Sequence, residues 1–131
     1  MGKNVWLILK SLKTKIWRLL GAWMRREEQK QCAALVKYAK LKGWFIFKIE
    51  NEGKRAPWYA KEQGIVAGVS DYMMPVPMNG KAGLFLEMKA PGEKPSRKQE
   101  VFLELMRRNG YAAVWFDDWK KAADFIESYL A

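Results

Sequence analysis

Glu87-Met88-Lys89 lies inside the apolar run Leu84–Lys89 (LFLEMK). Three other acid-x-Lys triplets occur, Glu28-Gln29-Lys30, Glu52-Gly53-Lys54 and Asp118-Trp119-Lys120, as chance allows in a lysine-rich chain. Only the 87–89 triplet sits in a strand-like context. Residues i and i+2 of a strand share a face. Glu87 and Lys89 are therefore expected side by side with Phe85 behind them, and Leu84, Leu86 and Met88 on the opposite face. A carboxylate and an ammonium at the end of a core strand are costly to desolvate unless they serve something. Asp71 stands 16 positions earlier, near the start of the preceding apolar segment. A turn at Asn79-Gly80 would fold it back beside Glu87 and Lys89. Two carboxylates and a lysine on adjacent strands make a hard-oxygen site suited to Mg²⁺ or Mn²⁺. Such an ion lowers the pKa of a water and stabilises charge developing on a phosphate.

The composition excludes the main competing chemistries. The 131 residues suffice for one compact domain and include no histidine and one cysteine, Cys32. A histidine base, a Ser-His-Asp or Cys-His pair and a His-ligated zinc are ruled out. So are an internal disulfide and a cysteine-rich metal site. With 50% hydrophobic residues the chain has ample material for a core. The formal charge of +10 is unevenly placed. Residues 1–26 hold Lys3, Lys10, Lys13, Lys15, Arg18, Arg25 and Arg26 and no acid, and the remaining 17 basic residues stand against all 14 acids.

The elements that must position the site follow from periodicity. Val5 to Trp23 has helical spacing, with Lys10, Lys13, Lys15 and Arg18 between the apolar positions. A second helix is expected from about Arg25 to Lys42, stopped by Gly43. Trp44–Ile49 (WFIFKI) reads as a strand, Asn51–Gly68 as a polar loop, and Val69 to about Val76 as a second strand. Leu84–Lys89 is a third, antiparallel to the second. Ser96 should start a helix to about Asn109, with Gly110 just past it. Tyr111–Phe116 is an apolar strand, and Asp117 or Asp118 caps a last helix to Leu130. The order ααβββαβα describes a mixed α/β domain, with residues 1–24 as a basic amphipathic helix and 25–131 as the domain proper. No stretch is long and apolar enough for a membrane span, and the apolar run Val5–Leu9 is too short for a signal-peptide core. The protein is expected in the cytoplasm.

Metal-assisted chemistry without histidine is the logic of the PD-(D/E)XK nucleases. From Arg26 to Leu130 the chain resembles one family of that superfamily, the VRR-NUC (virus-type replication-repair) nucleases. The matching pieces are Glu28-x-x-Gln31, Asn51-Glu52-Gly53, Gly68-Val69-Ser70-Asp71, Leu86-Glu87-Met88-Lys89, Ser96-x-x-Gln99 and Gly110-Tyr111. Each is weak alone; their order and spacing are the specific feature. Ser70 departs from the proline common at that position. The resemblance implies a small restriction-endonuclease-like mixed sheet flanked by helices, with the Asp71 and Glu87–Lys89 strands central. It implies Asp71, Glu87 and the Met88 carbonyl as ligands of Mg²⁺ or Mn²⁺, supported by Glu28, with Glu27 as a rival to Glu28. Lys89 would be the catalytic lysine and Gln99 the glutamine beside it. The implied activity is hydrolysis of DNA phosphodiester bonds, on structured or branched DNA; a domain of this size offers one site, so cutting two strands would suit a homodimer. Minimal members are associated with phages. Met24 stands just ahead of the matched stretch, where a native start would leave only the domain.

Plainer readings stand beside these. Glu87 and Lys89 make a solvated edge-strand pair, and Asp71 ends a strand. Ser96-Arg97-Lys98-Gln99 fits a capping box, in which Gln99 reaches back to the cap and gives up the site. Lys54, Arg55, Arg97 and Lys98, with Arg107 and Arg108, are phosphate contacts or a solvated surface. Trp58 and Tyr59 stack on bases or pack their loop. Residues 5–23 pair with a second copy or pack on the domain, lie on an anionic membrane, or add phosphate contacts. The function alternative to cleavage is a non-catalytic nucleic-acid or membrane-surface binding module built on that helix.

Overall fold

The computed structural model describes residues 2–50 and 62–131. The expected contacts of Lys54, Arg55, Trp58 and Tyr59, and the Asn51-Glu52-Gly53 piece, lie outside the described residues. The elements are α1 (Gly2–Lys42), β1 (Phe47–Lys48), β2 (Tyr72–Met74), β3 (Leu84–Met88), α2 (Arg97–Arg108), β4 (Ala112–Phe116) and α3 (Trp119–Leu130).

The two expected N-terminal helices are one helix of 41 residues. Nothing in the sequence separates them. Gly21 lowers helix propensity by about 1 kcal/mol, but no cap or proline follows it, and Met24 continues the turn. The helix ends where expected. Gly43 adopts φ 72°, its N–H donates to the Lys40 carbonyl, and the Trp44 N–H donates to the Ala39 carbonyl. This paired closure needs the left-handed residue that glycine supplies. The reading in which residues 5–23 pack back on the domain is not what the fold has: their large apolar side chains are exposed.

The sheet has the order β1-β2-β3-β4. β1–β2 and β2–β3 are antiparallel, and β3–β4 is parallel. The expected hairpin forms. Asn79 and Gly80 take positive φ, 52° and 76°, and Met78 bridges Lys81 across them. These are the dihedrals of a tight hairpin turn whose twist matches the strands. Tyr72 then faces Leu86 and Met74 faces Leu84. The strands are shorter than their apolar runs. Pro75 has no N–H to continue β2, and only Phe47 and Lys48 of WFIFKI enter the ladder.

β3 alternates as expected. Leu84, Leu86 and Met88 are buried against Leu35 of α1 and Ala122 and Ile126 of α3. Phe85 points the other way, edge-on to Phe102 of α2 and Tyr111. Helices therefore cover both faces, α1 and α3 on one and α2 on the other. α2 has Ser96 as its cap, and Asp118 caps α3.

Gly68 fixes the approach to β2. At φ +84° it lies so close to α2 that an added Cβ would be 2.5 Å from the Lys98 carbonyl oxygen. Gly80 has a similar φ but open space around it. In denaturant melts, Gly68→Ala should lose roughly 2 kcal/mol or more and Gly80→Ala about 1 kcal/mol. Equal losses would show that the approach to Lys98 is not what selects glycine at 68.

Candidate active site

The site is built where β2 and β3 meet. The Asp71 carbonyl accepts from the Ile49 N–H at 2.7 Å, tying it to the edge of β1. Its carboxylate Oδ2 accepts from the Met88 N–H at 2.9 Å. This bond fixes Asp71 beside the end of β3 and leaves the Met88 carbonyl outside that contact. Lys89 continues the pairing past β3, its N–H donating to the Phe116 carbonyl at 2.9 Å.

Glu87 is 1% exposed and Lys89 7%, so the pair is not a solvated edge-strand contact. The Lys89 Nζ lies 3.6 Å from Glu87 Oε1. The same oxygen accepts from Gln99 Nε2 at 2.8 Å. Glu87 Oε2 is buried and has no hydrogen-bond partner among the described residues.

Gln99 does what the capping argument treated as exclusive. Its Oε1 accepts from the Ser96 N–H at 2.8 Å, while its own N–H meets the Ser96 hydroxyl. Its Nε2 reaches Glu87 at the same time. An amide has an acceptor end and a donor end, so the cap and the site each use one. The capping box orients the side chain that holds Glu87.

Glu28, on the inner side of α1, is half-buried and stands in the field of Asp71 and Lys89. Glu27 instead pairs with Lys30 at 2.9 Å. The structure thus brings Glu28 to the cluster and leaves its rival outside it. Arg97 and Lys98 are exposed on the first turn of the helix that carries Gln99. Arg107 donates to the Ala113 carbonyl and Arg108 meets Glu104, so both have structural partners.

Burial governs the electrostatics. It pushes the Glu87 carboxyl up to about 8, with the Asp71 charge adding to the rise and Lys89 opposing it. Burial also raises Asp71, against the lowering influence of the Met88 N–H and of Lys48 and Lys89. Glu28 is raised by burial, with Lys89 opposing and Asp71 adding. Three carboxyls thus feel one another's charge and that of one buried ammonium.

A hard divalent cation fits this donor set. Among the described residues no three acidic or cysteine side chains close around one point. Mg²⁺, however, is held by one or two carboxylates and keeps several waters. Glu87 Oε2, buried and without a hydrogen-bond partner, is an oxygen of the kind such an ion takes.

Other residues of this neighbourhood have no role assigned from sequence, although Ser70 and Gln31 fall within the matched pieces. Lys48 lies opposite Tyr72 in the ladder, and its charge reaches Asp71 and Glu28. Ser70 is buried with an unpartnered hydroxyl. Gln31 Oε1 accepts from the Trp119 N–H at 2.8 Å and ties α1 to the start of α3. Lys48 carried a signal, a lone cation in an aromatic run; Ser70 carried only its place beside Asp71.

No family model matches the chain, and no curated protein matches it. Among solved structures, a protein described as a VRR_NUC domain protein superposes with a TM-score of 0.69. The match covers 79% of this chain and 88% of that one, at 19% identity. The chain has the VRR-NUC fold. The expected architecture, a small mixed sheet with the Asp71 and Glu87–Lys89 segments on its central strands, is the architecture of this fold; the expected helix count is corrected by the fusion within α1.

The raised Glu87 carboxyl has a consequence for stability. The folded domain holds a proton on Glu87 that the unfolded chain releases near 4.5, so this contribution is present below about 4.5 and lost as pH rises towards 8. Without added metal, the melting temperature should fall across that window. Glu87→Gln, which stays neutral, should flatten the fall. Parallel pH profiles for the two proteins would refute the assignment.

Proposed function

We propose that the chain is a metal-dependent DNA endonuclease of the VRR-NUC family, hydrolysing phosphodiester bonds. Glu87 carries the reading: a carboxylate buried at 1% exposure on a central strand, one oxygen held by Gln99 and Lys89, the other without a partner among the described residues. A structural ion pair would use both oxygens, because an unsatisfied buried polar atom costs about 1–3 kcal/mol.

Asp71, Glu87 and the Met88 carbonyl would hold Mg²⁺ or Mn²⁺, with Glu28 supporting them from α1. The ion, when bound, makes water a better nucleophile and offsets charge on the phosphate. Lys89 orients the attacking water and assists its deprotonation. Gln99 keeps Glu87 Oε1 occupied, so that Oε2 is left for the ion. The Met88 N–H holds Asp71 in register with Glu87. Attack in line with the leaving oxygen gives a 3′-hydroxyl and a 5′-phosphate. Arg97 and Lys98, with Lys54 and Arg55, would contact the DNA backbone and position it without reading sequence.

The substrate class is structured or branched DNA, in replication or repair, with a phage as source and the host cytoplasm as the place of action. One domain supplies one site, so cutting two strands of a junction calls for two copies.

Asp71→Asn and Lys89→Met should each lower cleavage of a four-way junction in Mg²⁺ or Mn²⁺ by roughly 100-fold or more. Chelation should abolish cleavage by the parent protein. Wild-type rates in both variants would remove these residues from the chemistry. A parent protein that binds the junction and cuts nothing would be a non-catalytic binding module.

A further inference from the structure

Residues 5–23 form the outer half of α1 and carry an apolar face that nothing among the described residues covers. Its large side chains are exposed between 42% (Leu20) and 71% (Leu19). Val5, Leu9, Leu12, Ile16, Leu19 and Trp23 recur at steps of four and three, forming one stripe. Ile8 and Leu20 widen it. Trp6 and Trp17 extend one margin. At 3.6 residues per turn the face spans roughly 180° of the helix. Lys10 and Lys15 border it, Lys13 stands inside it between Leu20 and the tryptophans, and Arg18 lies opposite, on the side that also carries exposed Leu7. Lys10 Nζ sits 5.0 Å over the Trp6 ring, joining the charged side to the aromatic edge.

Three occupants compete, and the charge and width of the face separate them. A second copy would place two helices with seven cations and no acid each in residues 1–26 against one another. A paired seam is also narrower than this face, and would leave the tryptophan margin wet. DNA phosphates would use the cations but give the leucines and isoleucines nothing to bury against. An anionic lipid surface uses both halves: acyl chains take the stripe, headgroups take the lysines, and tryptophans lie at the boundary. Lys13 can reach outward along its own methylenes. Among the described residues no helix is long and apolar enough to cross a membrane, so the helix would lie in the interface. The domain does not obstruct it. Glu28, Leu35 and Ala39 mark the side of α1 that meets the domain, and this side is roughly 140° around the axis from the stripe.

We propose that residues 5–23 dock the protein, lying flat, on the surface of a bilayer that contains anionic lipid. The test is flotation of the full chain with phosphatidylcholine vesicles, with and without phosphatidylglycerol. The parent protein should float with the mixed vesicles and stay at the bottom with phosphatidylcholine alone. Leu12→Glu with Ile16→Glu should weaken partitioning by roughly 100-fold or more. Both positions are exposed, so the variant's melting temperature should be unchanged. Failure of the parent protein to float, or equal flotation of parent and variant, overturns the proposal. Without flotation, a dimer in sedimentation velocity that the same variant dissolves would assign the face to a second copy. Without flotation, duplex affinity that falls when Lys10 and Arg18 become glutamate would assign the arm to DNA. Either result overturns it too.

Discussion

A side-chain carboxylate that bonds to the backbone of the neighbouring strand holds this molecule's centre in register. Asp71 Oδ2 takes the Met88 N–H at 2.9 Å, just past the last ladder pair of β2 and β3. A slip of one residue in that pairing would exchange the two faces of β3. Leu84, Leu86 and Met88 would leave the core, and Glu87 would enter the layer of Leu35 and Ile126. The tight turn at Asn79-Gly80, the tether at Asp71 and the burial of the three apolar residues all select one register. The placement of Glu87 beside Lys89 and Gln99 depends on it.

Burying Glu87 is the main electrostatic burden that follows. The fold meets it in part, with an amide from α2 and an ammonium two residues on. Each comes from an element that is itself fixed: Gln99 by the cap of α2, Lys89 by its N–H to the Phe116 carbonyl. The remaining imbalance is left standing, and raised carboxyl pKa values are its signature. Perturbed acids grouped in this way mark places where charge has a use.

Much of this was legible in the residue order because it depends on short-range rules. Alternation in LFLEMK separates the site face from the core face. Asn-Gly sets the hairpin, and Ser96 with Gln99 sets the start of α2. What the sequence concealed was mostly a matter of what does not happen. No residue between Trp23 and Arg25 stops a helix, yet the end of the apolar spacing at Trp23 reads as a boundary. Pro75 shortens a strand whose apolar run continues past it. The pairing of Lys48 with Tyr72 depends on an edge-strand register that no turn signal fixes. For Gln99, two uses of one side chain look incompatible until the amide's two ends are considered separately. A bound metal, a substrate or a second copy would be a property of encounters, and residue order speaks to such things only through resemblance.

The unbroken course of α1 also has a mechanical meaning. A flexible linker would have given the outer segment reach and the domain freedom to tumble. A continuous helix gives neither. The outer turns and the turn bearing Glu28 belong to one rod of 41 residues, roughly 60 Å long. Whatever grips the far end therefore sets the azimuth of the Glu87 cluster, and a partner brought to that cluster meets it from a restricted set of directions.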